Sequence, residues 1–216
     1  MRVLGIGFAT PYLRPFVDEA ERVAAAMPAQ QGVIQWPADG AGLTALVDEM
    51  DLPFDDLSVD RVLLIHGLES AEPLRPMLRE IWRIMSGDGK LLVVAPNRRG
   101  VWARLERTPF GHGRPYSRRQ LSTVLREGMF TPMESDSALF MPPLRSRLLL
   151  SAAPALENIG RAAFSQFGGV IMMEATKQIY AASGEVRPVR RRQVASAPKS
   201  VQSPTWNADW RRREDE

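Results

Sequence analysis

The chain contains no cysteine. That excludes a disulfide framework and any thiolate metal centre, and it suits a reducing compartment. Histidine is scarce too: His66 and His112 are the only two, which argues against a multi-histidine zinc site. No apolar run reaches the roughly 18–20 residues that span a bilayer. The N-terminal stretch MRVLGIGFATPYLRPF lacks a basic region followed by a long apolar core, so it does not read as a secretory signal. These absences point to a cytoplasmic protein without a membrane span. What the chain does have is length for one substantial domain plus a tail, with 216 residues, and an ordinary apolar fraction. Its net charge of +3 is unevenly placed. Much of the excess sits in Arg187, Arg190, Arg191, Arg192, Lys199 and Arg211 to Arg213, so it says little about what the folded part binds.

Apolar runs alternate with helical periodicity along most of the chain. RVLGI (2–6), RVAAAM (22–27), LTALVD (43–48), RVLLI (61–65) and KLLVVAP (90–96) read as strands, with further strands near 134–141 and 169–180. Residues 12–21 give a weak helical pattern. Residues 72–85 form an amphipathic helix on Leu74, Met77, Leu78, Ile81, Trp82 and Met85, ended by SGDG at 86–89. Residues 117–127 predict another helix with Ser117 as its N-cap, and 146–163 a further one. Short, fully apolar strands separated by helices predict a Rossmann-like α/β domain over 1–182, with a seven-stranded, mostly parallel sheet and helices on both faces. From 183 to 216 the periodicity stops, and Pro, Ser, Arg and Gln dominate. This segment reads as a disordered basic tail, although Trp206 and Trp210, spaced i,i+4, allow a short docking helix.

Three stretches carry the chemistry. Gly5-Ile6-Gly7-Phe8-Ala9-Thr10 follows a strand and opens a helix, a context in which glycines let a nucleotide-type ligand approach the backbone; a tight turn with no ligand is the plainer reading. Residues 47–69, VDEMDLPFDDLSVDRVLLIHGLE, join a strand end, an acidic cluster, a Leu-Pro-Phe turn and a new strand ending at His66. The third stretch, NRRGVWARLERTPFGHGRPYS (97–117), is a long connection at the carboxyl end of a strand, the edge at which open α/β sheets bind ligands. Its aromatic and cationic residues suit an anionic or aromatic acceptor, with Arg114 and Tyr116 as substrate-binding candidates. His112 is the general-base candidate, because an imidazole titrates near working pH. The plainer alternative is a packed loop with solvated arginines.

The ordered succession of the first two stretches, the SGDGK turn and the LLVVAPN strand resembles the class I S-adenosylmethionine-dependent methyltransferases of the large small-molecule group. The resemblance covers residues 2–97 by motif and 98–180 by layout. It implies that Gly5 and Gly7 line the methionine and ribose part of the cofactor. It further implies that Asp48 accepts a hydrogen bond from the adenine amino group, that the Glu49 backbone N–H faces the ring, and that His66 lies at the cofactor's edge near the methyl group. A solvated carboxylate at Asp48 and a hydrogen-bonded strand-end histidine at His66 are the alternatives. The implied reaction is displacement at the sulfonium methyl by an unidentified small-molecule acceptor, with the protein aligning the two and excluding water. No metal motif accompanies it.

Two departures from the family stand out. The acidic residue usual in the first motif is replaced by Gly5, and the acid that holds the ribose at the end of strand two falls at Met27-Pro28, leaving the amides of Gln30 or Gln31 as neutral substitutes. The chain also starts inside its first strand, where the group usually has one or two preceding helices; either it is built without them or its start is shortened. These departures keep open a second reading, a non-catalytic methyltransferase-like protein that binds a protein partner. Specific nucleic-acid recognition is not expected, since RPVRRRQ is short and the closing REDE offsets part of its charge.

Overall fold

The computed structural model describes residues 1–104, 113–141, 153–164 and 166–179. Seven strands form one sheet: β1 (Arg2–Gly7), β2 (Arg22–Pro28), β3 (Thr44–Val47), β4 (Val59–Ile65), β5 (Met85–Pro96), β6 (Phe130–Ala138) and β7 (Val170–Lys177). Their order is β3-β2-β1-β4-β5-β7-β6. The first five pair in parallel, and β7 lies antiparallel to both β5 and β6. The chain winds outward from β1 to β3 and then returns to place β4 on the other side of β1. That reversal makes the carboxyl ends of β1 and β4 the topological switch point of the sheet, the place where open α/β folds form a ligand crevice.

Side chains alternate across the sheet. Leu4, Ile6, Val62, Leu64, Leu91 and Val93 belong to one core, whereas Val3, Ala25, Leu63 and Ile65 belong to the other. Helix α2 (Leu74–Ile84) covers the first face with Met77, Leu78, Ile81 and Ile84, all buried. Each such side chain contributes about 1.5–3 kcal/mol by leaving water. Helix α3 (Arg118–Glu127) adds Leu121 and Leu125 to that face. It starts with a reciprocal cap: the Gln120 amide N–H donates to Ser117 Oγ at 3.2 Å, and Ser117 N–H donates to Gln120 Oε1 at 3.0 Å. On the opposite face Ala9, Leu13 and Phe16 pack from helix α1 (Thr10–Leu13) and the 3₁₀ turn Arg14–Phe16. Helix α4 is Ala153–Ala163.

The sequence reading needs correction in three places. The helix expected over 12–21 is one α-turn followed by a 3₁₀ turn, because Pro15 has no N–H to continue the ladder. The strand expected near 134–141 is Phe130–Ala138; its register shifts between Pro132 and Ser135, which blurs the alternation. SGDG does not separate α2 from its strand: β5 already begins at Met85, and a register shift between Val59 and Arg61 absorbs the extra residues. The tail from 183, His112 and the first part of the helix expected over 146–163 lie outside the described residues.

Candidate functional site

Four strand ends meet at the crevice. At β1, Gly7 has φ +78°, and a Cβ there would lie 2.5 Å from the Ile65 carbonyl oxygen and 3.1 Å from Gly67 N. The next amide, Phe8 N–H, donates to Ile65 O at 2.7 Å. The glycine is therefore required by the close approach of the β1 and β4 ends. Gly5 answers a different need. It is buried within β1, and a Cβ on it would meet Ala9 Cβ at 2.6 Å and Leu13 Cδ1 at 2.7 Å. Helix α1 occupies the space a side chain at position 5 would need.

Beyond β3, Asp48 is exposed and closes a local turn: its Oδ1 accepts from Met50 N–H at 2.9 Å. Its other carboxylate oxygen has no hydrogen bond among the described residues. Glu49 beside it is buried. The Leu-Pro-Phe turn that follows is fixed from α2. Arg83 donates to the Leu52 and Phe54 carbonyls, each at 2.9 Å, and pairs with Glu80 at 2.8 Å and Asp56 at 2.7 Å. Glu80 in turn accepts from Leu52 N–H at 3.1 Å. The Arg83 hydrogen bond holds the Glu80 carboxyl below its ordinary range, and Glu80 and Asp56 hold the guanidinium above its own. The sequence reading missed this anchor, although Glu80 and Arg83 at i,i+3 on a helix are a visible signal.

At the end of β4, His66 takes a left-handed backbone conformation, φ +52°. Its amide donates to Val94 O at 3.0 Å, and its Nδ1 lies 2.8 Å from Glu69 Oε1, both side chains being largely buried. Glu69 Oε2 is buried with no hydrogen-bond partner. Gln31, from the turn after β2, reaches over the end of β1. Its Nε2 donates to the His66 carbonyl at 2.7 Å and to Ser70 Oγ at 3.0 Å. Gln31, Gly7 and His66 thus stand together at the switch point.

The β5 side is framed by backbone bonds. Asn97 is buried; its Nδ2 donates to Gln166 O and Gly168 O, and its Oδ1 accepts from Arg99 N–H. Residues 113–116 run beside the ends of β4 and β5: Arg114 N–H donates to Glu69 O at 3.1 Å, Tyr116 N–H to Pro96 O at 2.9 Å, and Arg98 N–H to Tyr116 O at 2.9 Å. Gly113 has φ +89°, and a Cβ there would lie 3.0 Å from Glu69 O. Tyr116 OH donates to Leu68 O at 3.5 Å, a long bond, and burial, followed by the Glu69 charge, pushes its phenol up. A cavity of about 570 Å³ opens between this segment and α3. Both substrate-binding candidates, Arg114 and Tyr116, line it.

The strand ends present few side-chain acceptors. Asp48 offers a free carboxylate oxygen on the exposed rim, and Gly7 leaves the crevice floor without a side chain. At the end of β2 no carboxylate stands; Gln31 supplies an amide there, and its Oε1 remains free to accept.

Residues 4–93 match the family model of a methyltransferase domain. A comparison with curated protein sequences finds no match. Among solved structures the fold is similar to the putative methyltransferase crystallised with the Trm112 methyltransferase activator of Haloferax volcanii, at 19% identity and TM-score 0.57, covering 83% of this chain and 82% of that one. It is similar to a possible histamine N-methyltransferase of Thermotoga maritima, at 18% identity and TM-score 0.53, covering 82% of each chain. It is also similar to the 1,6-didemethyltoxoflavin-N1-methyltransferase of Burkholderia thailandensis, solved with bound 1,6-didemethyltoxoflavin and S-adenosylhomocysteine, at 16% identity and TM-score 0.54, covering 82% of this chain and 71% of that one. The sheet order and the switch-point crevice define a Rossmann-like α/β protein. Residues 4–93 carry the match to a methyltransferase domain, within that fold.

Proposed function

We propose that this chain is a cytoplasmic methyltransferase that binds S-adenosylmethionine in the switch-point crevice and methylates a small molecule. The observation that carries the reading is the gathering of Gly7, Gln31, Asp48 and His66 on the ends of neighbouring strands within a methyltransferase-domain match. In this reading Asp48 accepts from the adenine amino group, with the Glu49 backbone beside the ring. Gln31 Oε1 accepts from a ribose hydroxyl, and Gly5 and Gly7 keep the β1 turn open to the methionine portion. When bound, the cofactor supplies an electrophilic methyl group. The chain's own part is to orient the acceptor and exclude water. The Glu69 carboxylate fixes the His66 ring at the rim, and Arg114 and Tyr116 shape the acceptor side. His112 receives a proton where the acceptor carries one, and otherwise only shapes the pocket. Among the described residues no helix is long and apolar enough to cross a membrane.

A second reading is a non-catalytic partner-binding protein. It is favoured by α1 filling the position of the first-motif acid and by Gln31 bonded across the crevice. The Haloferax relative in fold was crystallised with a protein activator, and a comparable partner fits this reading. Calorimetric titration with S-adenosylhomocysteine separates the two. Saturable binding supports the enzyme, whereas no heat of binding at millimolar ligand leaves the partner-binding reading.

A further inference from the structure

We infer that the cavity between the 113–116 segment and α3 is an anion-recognition subsite, and that the acceptor therefore carries a phosphate or carboxylate group. The cavity is lined by Arg98, Arg114 and Arg119, with Tyr116, Gln120 and Thr123 completing the wall. Its volume of about 570 Å³ lies within the range of small-molecule sites, about 300–1,000 Å³. The charge is unbalanced. Arg114 pairs with Glu72 at 2.9 Å, but among the described residues Arg98 and Arg119 have no carboxylate partner. Among the described residues the Arg98 guanidinium donates only to the Pro115 carbonyl, at 3.3 Å. Two uncompensated guanidiniums held at one hollow repel each other unless an anion lies between them, and guanidiniums recognise planar or tetrahedral oxyanions by paired hydrogen bonds.

The frame around them is built rather than loose. Arg98 is fixed by its own amide on Tyr116 O and Arg114 by its amide on Glu69 O. Arg119 stands in the first turn of α3, where the helix dipole adds positive potential. The cavity also borders the reacting side of the crevice. Tyr116 reaches the Leu68 carbonyl, and Leu68 adjoins Glu69, the partner of His66. An acceptor anchored here by its anionic end would extend along Tyr116 toward the end of β4. Convergence on one hollow with an aromatic wall favours a small molecule over a nucleic-acid backbone, which needs a stripe of charge along an open surface.

The anion site stands on the cavity itself; calling it the acceptor's subsite rests on the methyltransferase reading. The test is a titration of the full chain with inorganic pyrophosphate and with citrate, followed by amide chemical shifts. One of them should give saturable shifts at residues 113–124. R98Q and R119Q together should weaken that binding by at least about tenfold, the loss expected when charge-assisted bonds are removed. R126Q, on the same helix but outside this cavity, should leave it unchanged. Absence of saturation with either anion, or an equal loss in R126Q, overturns the site. Tighter binding of a short oligouridylate, with a steep salt dependence, overturns the small-molecule assignment. If the anion binds but S-adenosylhomocysteine does not, the acceptor assignment falls and the anion site stands.

Discussion

The two sides of the crevice are built by opposite means. On the β3-β2-β1 side the strand ends are shaped by packing: Gly5 admits Ala9 and Leu13, Gly7 admits Ile65 and Gly67, and the Gln31 amide bonds across to His66. On the β4-β5-α3 side charge is concentrated, with His66 against Glu69, Arg114 against Glu72, and Arg98 and Arg119 facing one cavity. The difference teaches that one edge of a sheet can be set by backbone shape on one side and by side-chain charge on the other. On the second side backbone bonds hold the segments that carry the charge, at Arg98 and Arg114.

The largest expected effect breaks the first side at its floor. Gly7→Val introduces a side chain at a positive φ and against Ile65 O, so chemical denaturation should show a loss of about 3 kcal/mol or more. Gly42→Ala has open space around its Cβ and should stay within about 0.5 kcal/mol of the parent. Equal stability of Gly7→Val and the parent would mean that the strand ends are not held together as described.

Asp48→Ala should weaken S-adenosylhomocysteine binding by about 1–3 kcal/mol in calorimetry, the cost of losing one partner of a polar contact. An unchanged dissociation constant would remove Asp48 from the site. Gln31→Glu sharpens the comparison by restoring an acid to the depleted side. A carboxylate cannot donate to the His66 carbonyl, which frees the crevice, and it is a stronger acceptor for ribose hydroxyls. Binding should tighten by about 1 kcal/mol, and weaker binding would sink the ribose role.

The smallest effect lies at the amino edge, away from both sides. Asp60 accepts from the Arg2 backbone N–H at 2.7 Å and from its guanidinium at 3.0 Å, which lowers its carboxyl from 3.8 to about 2. Because the folded value is the depressed one, the stabilisation is complete above pH 4, and is lost as pH falls through about 2. Asp60→Asn should cost about 1 kcal/mol or less at pH 7, since the pair is partly exposed, and the difference should shrink as pH approaches 2. A difference that is constant with pH would rule the ion pair out as its source.

Much of the architecture was legible in the sequence because burial imposes a period. β1, β2, β4 and α2 stand within a few residues of their predicted places, as their apolar residues face a core on every turn or on both faces. Legibility failed where the signal is diluted. β6 is an edge strand with Pro132, an exposed Met133 and a register shift, so its alternation is faint and its start was placed four residues late. At the candidate site, Arg114 and Tyr116 were named from loop composition, and both line one cavity. Asp48 and His66 came from the family resemblance, and they stand at the ends of β3 and β4. The Arg83 anchor and the arginine pair at the cavity were not found. Arg83 was not singled out, and Arg98 was grouped with the solvated arginines of the 97–117 connection.

By itself the sequence determined the strand and helix identities, the glycines at the β1 turn and the acidic turn after β3, because each depends on neighbours within a few positions. The tertiary structure alone decided what those residues touch. Gln31 meets His66 across 35 positions, and Arg83 meets Leu52 across 31. Arg98 joins Arg119 at a cavity only because the 113–116 segment is bonded to both strand ends. Such pairings follow from strand order, which brings remote residues to one edge of the sheet, and hydrogen bonds made there leave no periodic trace in the chain.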